Sequence, residues 1–114
     1  MYKNTEAYKH KYAKDVLKEW LSPEYTVELE RPFYIDDRIS FVPDVTCSVN
    51  GAIVSFYEVV NKHALDGKKL GRIQSWCYRN YTPVDVYEVD SNYIMAQVEM
   101  PVVIETINEY YFEG

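Results

Sequence analysis

An α/β (α+β) domain is expected, with a mixed central sheet of about four to five strands flanked by helices. Three observations predict it. Residues 5–21 repeat apolar side chains at helical spacing. Residues 41–60 form an apolar ribbon broken by Asn50-Gly51, a strong short-range hairpin signal. A second helical pattern then begins near Asp66 and gives way to alternating, strand-like segments from Val84 onward. At 114 residues the chain suits one domain, 1–114, large enough to bury a core.

In the first helix Tyr8, Tyr12, Val16 and Trp20 recur every four residues, with Ala13, Leu17 and Leu21 alongside. Asn4 or Thr5 caps its start, and Ser22-Pro23 ends it. Glu6, His10 and Lys14 make a second stripe at the same spacing. It reads either as a solvated face or as the border of an acidic site. Residues 25–34 read as the first strand, with Tyr25, Val27 and Leu29 alternating with Thr26, Glu28 and Glu30. Asp36 and Asp37 read as turn residues.

The hairpin carries the chemistry. Asp44 and Glu58 interrupt its apolar strands, and a charge in a buried strand is costly unless paired, hydrogen-bonded or metal-bound. A divalent cation is a natural partner for two such acids. A flat two-residue turn would set Asp44 opposite Tyr57 and point the two acids to opposite faces. A three-residue loop would set Asp44 opposite Phe56 and place Glu58 on the same face, roughly 7–8 Å away between Cα atoms. The metal reading therefore predicts the bulged turn, or another bulge in one strand. The competing readings are a backbone amide satisfying Asp44 and Lys62 pairing with Glu58.

Beyond the hairpin, Asp66 reads as the N-cap of the second helix, with Leu70, Ile73 and Cys77 on one face. Residues 84–89 and 93–98 read as strands, and 101–114 as a helix. Cys47 and Cys77 lack metal spacing and read as small buried hydrophobes. His63, without a neighbouring His or Cys, is a poor zinc ligand.

Pro43-Asp44 followed by Glu58-Val59-Val60 resembles the core motif of the PD-(D/E)XK nuclease superfamily. Glu58-Val59-Val60-Asn61-Lys62-His63, with Lys69 on the following helix, is similar to its competence CoiA-like branch. Gln74 and Tyr78 match the Gln-x-x-x-Tyr pattern of its RecB-like branch. The resemblance spans residues 4–90. It implies a restriction-endonuclease-like fold and a nuclease hydrolysing phosphodiester bonds in DNA. It also implies Mg²⁺ or Mn²⁺ held by Asp44, Glu58 and the Val59 carbonyl. Val60 stands where the family has its lysine, so that amine must come from Lys62 or Lys69. Glu6 would complete the carboxylates, His10 would touch a phosphate or the water, and Gln74 would bridge substrate. A second copy would help such a small nuclease grip a duplex.

The net charge is −6. Residues 61–80 carry five cations against one acid, whereas 81–114 hold seven acids and no Lys or Arg. The basic footprint is thus local: Lys68, Lys69 and Arg72, with His10 and Lys14 on the first helix. DNA binding should be weak and salt-dependent. The acidic balance also suits the alternative, an inactive nuclease-like module that binds or inhibits a basic protein, or imitates DNA. No apolar run is long enough to cross a membrane, and the first residues lack an apolar signal core, so a cytoplasmic protein is expected.

Overall fold

The computed structural model describes residues 6–60, 66–95 and 102–107, with residues 6, 93, 95 and 102–107 by backbone alone. Its elements are α1 (Glu6–Leu21), β1 (Thr26–Leu29), β2 (Phe33–Ile35), β3 (Arg38–Phe41), β4 (Val45–Val49), β5 (Ala52–Val60), α2 (Gly67–Asn80), β6 (Val84–Asp90), α3 (Ser91–Met95) and β7 (Val102–Ile107). The fold is α+β, as the sequence predicts. A five-stranded mixed sheet has the order β1-β4-β5-β6-β7, and β2-β3 form a separate two-stranded sheet. Among the described strands of this sheet only β5 and β6 run parallel, joined across α2; the other neighbours are antiparallel.

Each face of the large sheet has its own core. Ala13, Leu17 and Leu21 of α1 pack with Val45, Cys47, Tyr57, Val59 and Val89, together with Ile94 of α3. On the other face Ile73 and Cys77 of α2 meet Phe56, Val84 and Val86, with Phe33 and Phe41 from the small sheet. Being covered on both sides, β5 is buried at every position from Ser55 to Val59. The α2 helix begins as expected, the Asp66 side chain accepting the Lys68 N–H at 2.8 Å. Both cysteines are free and buried, and burial raises both thiol pKa values, Cys77 to about 12.

Three expectations are corrected and one is extended. The predicted strand over 25–34 is two strands, because Glu30 turns left-handed (φ 52°) and Pro32 has no N–H to give a ladder. Asp36 and Asp37, both left-handed, are turn residues as expected, but the turn closes an unforeseen hairpin with β3. Residues 91–95 form α3, so the strand predicted over 93–98 does not start at Tyr93; residues 96–98 lie outside the described set. Residues 102–107 form β7, where the β-branched run Val102-Val103-Ile104 suits a strand edge better than the helix predicted over 101–114. The remainder of that segment is outside the described residues. Among the described residues, no helix is long and apolar enough to cross a membrane.

Candidate functional site

The hairpin register sets the site. The turn has two residues, with Val49 opposite Ala52; Asn50 (φ 52°) and Gly51 (φ 82°) are both left-handed. The three-residue loop is therefore not formed. Instead the register shifts within the strands: Ser48 faces Ile53, whereas Cys47 faces Ser55, leaving Val54 as the extra residue of a bulge in β5. Val45 then faces Tyr57, and continuing that register puts Asp44 opposite Glu58. The bulge thus brings both acids to one face, as the loop would have done.

Asp44 lies just before β4 and is 9 % exposed; Glu58 is 3 % exposed. The Val59 N–H donates to Asp44 Oδ2 at 2.7 Å, so a backbone amide does satisfy this acid. His10 Nε2, from α1, lies 3.2 Å from the same oxygen, with its own side chain 40 % exposed. From the other face, the Lys69 Nζ of α2 donates to Glu58 Oε2 at 3.0 Å and stands 2.9 Å from Oε1. Oε1 is buried and has no aligned hydrogen bond. Burial first, then the Asp44 carboxylate beside it, pushes the Glu58 pKa up to about 8; the Lys69 ammonium pulls the other way without prevailing. A chain of four groups, His10, Asp44, Glu58 and Lys69, thus runs from one helix to the other through the end of the sheet.

The other expected residues are placed as follows. Lys14 donates to Glu30 at 2.6 Å, and its ammonium holds the Glu30 carboxyl below its usual range. That same Glu30 donates its N–H to the Asp44 carbonyl at 3.1 Å, so Lys14 borders the site rather than entering it. Gln74 is half-buried on α2 and has no hydrogen bond to the acid pair. Lys68 and Arg72 are exposed on α2. Glu6 starts α1, but its side chain is not described; Lys62 and His63 lie outside the described residues. Lys69, one of the two lysines offered for the Val60 position, contacts Glu58.

Glu88 was not singled out from the sequence. It is the register partner of Glu58 on the parallel strand β6 and lies on the same face. A signal existed: Val84 and Val86 are buried core, and Glu88 continues their alternation. Among the described residues no group of three or more His, Cys, Asp and Glu is arranged to hold a metal ion. Within that limit the donor chemistry suits a hard cation. Two carboxylates converge, and Glu58 Oε1 lacks an aligned hydrogen bond.

The chain matches no protein-family model, and no curated protein and no solved structure is significantly similar to it.

Proposed function

We propose that the protein is a divalent-metal-dependent nuclease that hydrolyses phosphodiester bonds in DNA. One observation carries the reading. Asp44 and Glu58, separated by fourteen positions, meet at the carboxyl end of β5 with the Lys69 amine beside them. Ligands of open α/β sheets gather at the carboxyl ends of parallel strands. Two buried acids in contact are expensive to keep without a functional partner.

Asp44, Glu58 and the Val59 carbonyl would hold Mg²⁺ or Mn²⁺. The bound ion supplies a water of lowered pKa and neutralises charge on the scissile phosphate. The Val59 N–H fixes the Asp44 carboxylate in place. Lys69 takes the role that Val60 leaves open, orienting the water and stabilising charge that develops on the phosphate. His10, half exposed at the rim, would contact a phosphate. The protein would work in the cytoplasm and bind DNA weakly, alone or as a homodimer.

A second reading draws on the same contact. With Lys69 already closed on Glu58, the site is largely neutralised from within, as suits an inactive nuclease-like module that binds a basic protein. Calorimetry with Mn²⁺ and Mg²⁺ separates the two, run on wild type, Asp44→Ala and Glu58→Ala beside a cleavage assay on mixed DNA substrates. The nuclease reading expects metal binding lost in both variants and cleavage by the wild type alone. No binding at millimolar ion would overturn it in favour of the binding module.

A further inference from the structure

The helix that delivers Lys69 has an outward face that the acid site does not use. Lys68, Arg72, Ser75 and Arg79 are all exposed and fall at spacings of four, three and four residues. At 100° per residue they share one narrow stripe, opposite the buried Ile73 and Cys77. The helix contains no acidic residue in a chain whose net charge is −6. Arg79 stands 3.6 Å from Asp36, but both side chains are more than half exposed, so the pair is weak and readily exchanged. From Lys68 to Arg79 the stripe runs about 16 Å along the axis.

The last turn of α2 also carries exposed rings, Tyr78 lying about a quarter-turn round the helix from the stripe and Tyr81 at the cap. Tyr78 is 52 % exposed and Tyr81 79 % exposed. Tyr81 is the C-cap, left-handed at φ 50°, with its N–H bonded to the Cys77 and Tyr78 carbonyls. Glycine or asparagine ordinarily fills that position, since a side chain there is strained. Tyr81 thus holds a large ring in a strained conformation with most of its surface in water. Such positions cluster at functional sites.

We propose that this face of α2 is a track for single-stranded nucleic acid, its phosphates along Lys68, Arg72 and Arg79 and its bases stacked on Tyr78 and Tyr81. Charge complementarity selects a polyanion. The exposed rings select one whose base faces are open, because a duplex hides them in its own stack. Lys69 projects about 100° round the helix from Lys68 toward Glu58, so a strand lying on the stripe passes beside the acid pair. The track rests on the nuclease reading only in naming that strand as substrate; binding itself needs no cleavage.

The test is fluorescence anisotropy in EDTA with a labelled oligothymidylate and a labelled duplex of equal length, with polyglutamate as competitor. Thermal unfolding checks that the surface variants remain folded. The single strand should bind about tenfold more tightly than the duplex. Lys68→Glu with Arg72→Glu should weaken it about tenfold or more and flatten its salt dependence. Tyr81→Ala should weaken the single strand alone, leaving the salt slope unchanged. Duplex bound as well as single strand, an unaffected charge-reversed variant, or no binding at all would each overturn the track. So would polyglutamate competing as well as unlabelled oligonucleotide, which would point to an acidic polypeptide. Single-strand preference without metal binding at Asp44 and Glu58 would support the track while removing the nuclease reading, so the two fail separately.

Discussion

The two faces of the central sheet are built differently. The α1 face is mainly aliphatic: Leu17, Leu21, Val45, Val59, Val89 and Ile94, with Tyr57 and Tyr87 stacked at 4.6 Å. The α2 face is an aromatic knot. Phe33 stacks on Phe41 at 5.0 Å and meets Phe56 at 5.1 Å and Trp76 at 4.9 Å edge-on. The first face is closed mainly by α1, a regular helix whose periodicity is plain in the sequence, with Ile94 of α3 beside it. The second needs a separate hairpin, β2-β3, to supply Phe33 and Phe41 from a distant part of the chain. The site inherits the asymmetry. The α1 face offers a half-exposed histidine to Asp44, and the α2 face offers a mostly buried ammonium to Glu58. One sheet end thus holds two acids of different character. Asp44 is fixed by a backbone amide, whereas Glu58 is pushed toward keeping its proton.

The largest expected effect is on the aromatic face. Phe56→Ala removes the ring that touches Phe33, Phe41 and Trp76, and should cost about 5 kcal/mol in denaturant unfolding. Leu17→Ala, equally buried under α1, should cost about 3 kcal/mol. Equal losses would mean that the aromatic contacts add nothing beyond volume.

Next comes Lys69→Met, which keeps the length of the side chain and removes the charge from Glu58. It should cost about 2 kcal/mol at pH 8, since Glu58 must then hold its proton or stand unpaired. The cost should shrink as pH falls below about 4.5, where Glu58 becomes protonated in both folded and unfolded chains. A loss that does not vary with pH would show that the lysine stem, rather than its charge, matters.

Glu58→Gln tests the acid directly. The Glu58 pKa rises on folding from 4.5 to about 8, so the folded chain binds this proton more tightly than the unfolded one. The stabilisation is complete below about pH 4.5 and is lost as pH climbs to about 8. Across that window the wild type should lose stability relative to Glu58→Gln, with a slope no steeper than about 1.4 kcal/mol per pH unit. Parallel unfolding curves at pH 5 and pH 8 would contradict the protonated carboxyl.

The smallest effect belongs to His10→Ala. Its contact with Asp44 is part exposed, and its loss should cost no more than about 1 kcal/mol. A much larger loss in thermal unfolding would show that the α1 face holds the site as firmly as the α2 face does.

Much of this is legible in the sequence. Helix α1, the Asp66 cap of α2, the Asn50-Gly51 turn and the pair Asp44 and Glu58 all follow from local pattern, because capping, turn preference and periodicity act within a few residues. The bulge at Val54 is legible only as a condition: if the acids are to share a face, one strand has to gain a residue, and no local signal says where. The β2-β3 sheet is not legible. Its strands are three and four residues long, too short to show alternation, and they persist because Phe33 and Phe41 fill the aromatic core.

By itself, then, the sequence determined the elements with strong local chemistry and marked two acids as too costly to leave unexplained in a buried ribbon. The tertiary structure alone decided which face they share, that Lys69 meets them and that Glu88 stands beside Glu58. Each of these depends on strand register and on the approach of a helix from elsewhere in the chain. Register is set by packing summed over a whole sheet, where one extra residue reverses every side chain that follows.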